Sequence, residues 1–360
     1  PVAPNKETRI AARAGDGIGP EITAATVKIL KAAARKSGLA LKVKEALIGW
    51  KAYHKHKTTL PEATLRVLRE HEGWIVGPTF AGEYPKDDGY NGHPNGFLRQ
   101  HFKLFANVRP VKAWPQLNPL VSDLDITVLR ENTQGFYPDR NMAWGYGEFK
   151  PSNDVALSVR VITREAAERF ARFAFDYAMT TGEPRLFVAH KRTALIQTDG
   201  LFISAFEALQ PKYRKIRMEL VRIDTFASSF PRDPHRFKLV ATSNLFGDIM
   251  SDQASGLAGG VGMAPSLCAG PEHASAARCW SSPASTAPTI ARSSMPCASS
   301  RCRCAASRSS TRTSKTRRWS KCRPSACAAC VYAPGKDRWR RKSRRPHSVS
   351  RRSAGTRSCA

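Results

Sequence analysis

From residue 271 to residue 360 the chain contains no leucine and no phenylalanine. These residues are among the commonest core fillers, so a stretch without them has little apolar surface to offset the entropy lost on ordering. The same stretch carries 21 Lys and Arg against two acids, Glu272 and Asp337, with eight of the nine cysteines and 19 serines. It is expected to be a disordered or badly packed tail. Most of the formal charge of +29 over 360 residues therefore belongs to this tail rather than to a folded body.

Residues 1 to 270 read differently. No apolar run approaches the ~20 residues of a membrane span. The start, Pro1 to Lys6, lacks the apolar stretch of a secretory signal, which makes the cytoplasm the expected location. Short aliphatic runs alternate with helical periodicity, the signature of an α/β protein. Arg9 to Ala14 reads as a strand, Gly15 to Gly19 as a glycine turn, and Ile22, Ile29, Leu30 and Ala33 as one helix face closed by Gly38. Further strands are expected at Leu41 to Ile48, Trp74 to Gly77, Ile126 to Arg130, Leu186 to Ala189, Leu220 to Ile223 and Lys238 to Thr242. Helices are expected at Pro61 to Glu72, with Thr59 as a possible cap, and at Thr163 to Met179.

Three features carry chemistry. The glycines from Gly15 to Gly19 could approach a phosphate, but they lack the third glycine of the dinucleotide pattern, and a plain tight turn is favoured. Asp248 and Asp252 stand four apart, so a helix places both carboxylates on one face, where they can share a hard divalent cation. A solvated acidic face is the plainer alternative for such a pair. Arg99, Arg109 and Arg130 sit in segments that read as strand or strand edge, where a desolvated guanidinium calls for an anion and its planar fork suits a carboxylate. Together they suggest a metal-assisted site for a polycarboxylate.

Several ordered stretches, Gly15-Asp16-Gly17-Ile18-Gly19-Pro20-Glu21-Ile22, Ala106-Asn107-Val108-Arg109-Pro110, Arg130-Glu131-Asn132-Thr133 running to Tyr137, His190-Lys191, and Asn244-Leu245-Phe246-Gly247-Asp248 through Asp252, closely resemble the isocitrate/isopropylmalate dehydrogenase family over about residues 8–266. The resemblance implies a two-domain α/β fold with a cofactor-side domain of residues 1–100 plus 253–270, a substrate and dimerisation domain of 101–252, and the anomalous tail of 271–360. It implies oxidation of a 2-hydroxy acid by NAD or NADP with loss of CO2, assisted by Mg2+ or Mn2+. Arg99, Arg109, Arg130 and Asn95 would bind the substrate, Thr79 and Asn95 would lie toward the nicotinamide, and Asp248, Asp252 and a partner-supplied Asp224 would hold the metal. Tyr137 and a partner-supplied Lys191 would move protons, which makes a homodimer with shared sites the expected assembly. The spacing of Asn95 and Arg99 favours an isocitrate-type substrate. His93 stands where that type carries a serine, so isopropylmalate or tartrate stays open.

After Ser266 the resemblance is lost. Only Thr286 to Ala291 echoes the family's adenine loop, and the remainder reads like a GC-rich gene translated in a shifted frame. A rival function of another class is nucleic-acid binding through the basic tail, where Trp280, Trp319, Trp339 and Tyr332 could stack on bases. Cys327 and Cys330 form the tail's one CxxC pair, too little for a zinc site.

Overall fold

The computed structural model describes residues 7–278, apart from 72, 86, 89, 91, 138–140 and 143–146. The echo at 286–291, the Cys327–Cys330 pair and, apart from Arg278, the aromatic and basic residues proposed for nucleic acid lie outside the described residues.

The chain opens with β1 (Thr8–Arg13), α1 (Gly19–Lys36), β2 (Leu41–Glu45), α2 (Trp50–His56), α3 (Glu62–Arg69), β3 (Gly73–Val76) and α4 (Pro94–His101). The turn between β1 and α1 has positive φ at Gly15 and Gly17, and a Cβ on Gly15 would meet the Pro78 carbonyl oxygen at 2.0 Å. These glycines serve a tight turn and a close backbone approach, as the favoured sequence reading has it. The middle of the chain runs through β4 (Ala106–Lys112), β5 (Asp125–Glu131), β6 (Glu148–Ser152), β7 (Val155–Ser158), α5 (Arg164–Thr181), β8 (Arg185–His190), α6 (Ile196–Leu209), β9 (Arg217–Arg222) and α7 (Ile223–Ser229). It closes with β10 (Leu239–Thr242), α8 (Asn244–Leu257), β11 (Pro265–Ala269) and β12 (Ala274–Arg278).

Ten strands form one sheet in the order β2-β1-β3-β12-β11-β4-β5-β10-β8-β9, and β6 pairs with β7 in a separate ribbon. Both ends of the large sheet are parallel, while β12, β11, β4 and β5 are joined by antiparallel pairings. The parallel ends follow from helical crossovers between strands. The α/β class read from the sequence is the observed one.

Three elements differ from the sequence reading. Arg99 is on α4, not on a strand, because Pro94 starts a helix whose buried face is Pro94, Gly96 and Leu98. Pro61, not Thr59, precedes α3, and the Thr59 hydroxyl instead bonds the Asp88 carboxylate. β12 lies within the stretch expected to be disordered. It needs no large side chain of its own, since its backbone pairs on both sides, with β3 and β11.

Packing is uneven along the sheet. Around β4, β5, β8 and β10 one face is covered by α5 and α6, with Phe170, Phe175, Phe202 and Phe206 buried, and the other by α7 and α8, with Phe226, Phe230 and Phe237. A third cluster joins Leu65, Leu68, Trp74, Leu98 and Phe102 beside β1 and β3. Near the edge of α1, however, an apolar groove of about 390 Å³ lies open, lined by Ile10, Leu30, Leu41, Trp74, Leu267 and Ala276 among others. Parallel strands are ordinarily covered on both faces, and among the described residues this face is the less covered one.

Phe170 has no solvent exposure and packs against Phe202 and Phe206. Phe170→Ala is expected to cost about 3 to 5 kcal/mol, read from the denaturant midpoint, as a cavity opens under α5. A loss below about 1 kcal/mol would show that this cluster does not carry the fold.

Candidate active site

The chemistry gathers where β4, β5 and α8 meet. Val108, Leu129 and Val128 anchor the two strands in the core, and the side chains of Arg109 and Arg130 are buried against α8. Gly247 lets α8 come that close: a Cβ there would meet the Arg130 Cβ at 2.6 Å. The next residue, Asp248, therefore lies directly over the guanidinium. Its Oδ1 pairs with Arg130 Nη1 and, at 3.0 Å, with Arg109 Nη2. Asp252, one turn on, pairs with Arg109 Nη1 at 3.3 Å.

Around this core each arginine is held by further acceptors. Arg130 Nε donates to Asn244 Oδ1 at 2.8 Å, Arg109 Nε to Asn107 Oδ1 at 3.0 Å, and Arg109 Nη1 to Ser251 Oγ at 2.6 Å. The Asn244 amide donates in turn to the Gln134 carbonyl at 2.7 Å, which fixes the loop leading to Tyr137. The Tyr137 hydroxyl donates to Asp248 Oδ2, and its ring centre lies 5.1 Å from the Arg130 Cζ. Burial pushes the Asp248 carboxyl up, but the Arg130 and Arg109 guanidiniums outweigh it and hold the group below the usual carboxylate range. Burial pushes the Tyr137 hydroxyl up, so the phenol keeps its proton at neutral pH. Arg99, half-buried on α4, adds its charge to the same field at Arg130, Tyr137 and Asp248.

Two other clusters stand apart from this one. Lys191 Nζ pairs with Asp224 Oδ2 at 3.0 Å, and that hydrogen bond draws the exposed Asp224 carboxyl down. Among the described residues no three of His, Cys, Asp and Glu converge on one point, so Asp224 does not join Asp248 and Asp252 within one chain. Asn95 Nδ2 donates to Thr79 Oγ1 at 2.7 Å, tying the start of α4 to the loop after β3. That loop is held by the buried Asp16 carboxylate, which accepts from the Phe80 and Trp50 amides at 3.2 and 2.8 Å and from the Tyr84 hydroxyl. His93 precedes α4 and is partly buried.

The sequence-read residues thus fall into one tight group (Arg109, Arg130, Tyr137, Asp248, Asp252) with Arg99 close by, and two pairs (Lys191–Asp224 and Thr79–Asn95). Asn244, Gly247 and Ser251 received no role from the sequence. Asn244 stands four residues before Asp248, so the helical spacing that linked the two aspartates could have flagged it.

A family model described as isocitrate/isopropylmalate dehydrogenase matches residues 9–306 of the chain. The match runs past residue 266, where the sequence reading ended its resemblance. The chain is 37% identical over 269 residues to 3-isopropylmalate dehydrogenase of Methanothermobacter thermautotrophicus, covering 75% of this chain and 76% of that one. It is 34% identical over 260 residues to isocitrate/homoisocitrate dehydrogenase of Thermus thermophilus, covering 72% and 73%. The crystal structure of isocitrate dehydrogenase from Methylococcus capsulatus superposes with a TM-score of 0.67 at 32% identity, covering 75% of this chain and 77% of that chain.

Glu131, beside Arg130, is buried and accepts from the Thr133 amide and hydroxyl and the Gln134 amide, while burial pushes its carboxyl above the ordinary value. An acid whose folded pKa lies above its unfolded value of about 4.3 contributes fully below that value and loses its contribution as pH rises through the folded one. The unfolding free energy of Glu131→Gln relative to the parent chain should therefore shift in the variant's favour from about pH 4 upward. A difference independent of pH would contradict the assignment.

Proposed function

The chain belongs to the isocitrate/isopropylmalate dehydrogenase family, a family of dehydrogenases, and from that premise we propose that it oxidises and decarboxylates a 2-hydroxy polycarboxylate, isocitrate first among the candidates. The observation that carries this reading is the convergence of two buried guanidiniums, two carboxylates and a protonated phenol at the junction of β4, β5 and α8. Arg109 and Arg130, with Arg99 beside them, suit the carboxylates of such a substrate, and their burial makes a bidentate carboxylate contact strong. The isocitrate preference rests on Asn95 and Arg99, polar groups one turn apart on α4. Isopropylmalate and tartrate are the competing substrates, since His93 occupies the position of the expected serine.

The donor set fits a hard divalent ion, because Asp248 and Asp252 offer only oxygen. Two carboxylates in one chain leave such an ion short of ligands, and the partner's Asp224 would complete the set. When bound, Mg2+ or Mn2+ would supply Lewis-acid polarisation of the substrate's 2-oxygen, and NAD or NADP the hydride acceptor. Thr79 and Asn95 are the residues offered to the nicotinamide end. The partner's Lys191 would take the hydroxyl proton at its Nζ. Tyr137, holding its proton at neutral pH, would deliver it to the carbon that loses CO2.

A homodimer with shared sites is part of the proposal, as is the division into a cofactor-side domain of 1–100 with 253–270 and a substrate and dimerisation domain of 101–252. The β6–β7 ribbon supports self-association. It is exposed throughout and leaves Phe149, Val155 and Leu157 in solvent, and a two-stranded ribbon is marginal until something pairs with it or covers it. No helix among the described residues is long and apolar enough to cross a membrane.

Turnover of isocitrate, isopropylmalate and tartrate should be screened with NAD and NADP in the presence of Mn2+. Reduced cofactor and CO2 from isocitrate are the expected result, and turnover of none would overturn the reading. Independently of turnover, Asp252→Asn is expected to weaken Mn2+ binding at least about tenfold by titration calorimetry. Unchanged affinity would remove Asp252 from the metal set.

A further inference from the structure

Arg160 lies between β7 and α5, and its guanidinium is buried. Its Nη2 pairs with Asp199 Oδ1 at 2.6 Å and donates to Ser243 Oγ at 3.3 Å, and its Nη1 donates to the Thr198 hydroxyl. The Cζ sits 5.3 Å from the centre of the Phe136 ring and 5.9 Å from that of Phe246. Each partner leads to a residue with a proposed role. Phe136 precedes Tyr137 in the loop, Ser243 immediately precedes α8, and Phe246 lies two residues before Asp248.

Asp199 extends the same connection to the second cluster. It lies buried in the first turn of α6, and its Oδ2 accepts from the backbone N–H of Lys191. The Lys191 carbonyl is held as well, accepting from the Ala194 and Leu195 amides at 2.9 Å. A lysine side chain is long and flexible, so the direction in which it leaves the backbone decides where its amine can reach. With both sides of the residue pinned, Nζ meets Asp224 at 3.0 Å.

We propose that the buried Arg160–Asp199 ion pair is a positioning element that aims Lys191 and simultaneously fixes the Tyr137 loop and the start of α8. In a dimer with shared sites, this one pair couples the half-site a protomer keeps to the half-site it lends. The proposal rests on the role given to Lys191 above. The planar fork matters because a single group must bridge Thr198, Asp199 and Ser243, which an ammonium does less well.

The test uses full-length chains carrying Arg160→Lys or Asp199→Asn. A water-soluble carbodiimide couples amines to carboxylates already in contact, and mass spectrometry gives the yield of the Lys191–Asp224 amide. The Lys42–Glu7 pair, at 2.6 Å on the far edge of the sheet, serves as the internal reference. The ratio of the two yields should fall severalfold in both variants, and kcat should drop roughly tenfold to hundredfold with KM little changed, since a misplacement of about 1 Å has effects of this size. Variants that fold, melt lower and keep the parental ratio would overturn the proposal and leave the pair a purely structural one. Should Asp199→Asn fail to fold, Arg160→Lys carries the comparison. A parent chain without turnover would sink the functional reading, while the coupling ratio would still decide the positioning claim.

Discussion

The site depends on the contact between Arg130 and Asp248. A guanidinium buried in β5 loses its hydration and needs an anion nearby, and the carboxylate that answers comes from a helix more than a hundred residues later in the chain. That contact requires α8 to lie against β5 at the distance a bare Gly247 permits. Once it does, Asp252 reaches Arg109, Asn244 reaches both Arg130 and the Tyr137 loop, and the Tyr137 hydroxyl meets the second oxygen of Asp248. The carboxylate that ties these elements together is also a proposed metal ligand. Binding substrate and metal would therefore exchange partners within an existing charge network rather than build one.

Much of this arrangement was legible in the sequence. The strand, turn and helix pattern gave the α/β class, and the four-residue spacing of Asp248 and Asp252 put both on one helical face. Local pattern could not show that Arg99 belongs to a helix, because a short apolar run beside an arginine fits either state until Pro94 is weighed as a first-turn residue. It also could not show β12, whose small residues join the sheet through backbone pairing with strands far away in sequence. Arg160 and Asp199 were missed for a similar reason. Each is an unremarkable residue in its own segment, and only the fold brings them together.

The two halves of the sheet are built to different standards. Around β5, β8 and β10 aromatic layers cover both faces, and this is where the proposed substrate groups sit. Around β1 and β3 the open groove beside α1 leaves Leu30 and Leu267 partly in water. The groups offered to the nicotinamide, Thr79 and Asn95, belong to this thinner half. Loose packing there would weaken cofactor binding more than substrate binding, because the ordering that packing normally supplies would have to come from the ligand.

The central claim is that the Arg109–Arg130–Asp248 cluster and the Lys191–Asp224 pair form one working site only when contributed by different chains. Its most direct measurement is the turnover of dimers assembled from two inactive parents, one carrying Tyr137→Phe and the other Lys191→Ala. The account predicts that each parent alone is nearly inactive and that the mixed population regains turnover, because one of the two sites in each mixed dimer has both intact groups. A mixture as inactive as its parents, with mixed dimers verified by mass, would contradict it.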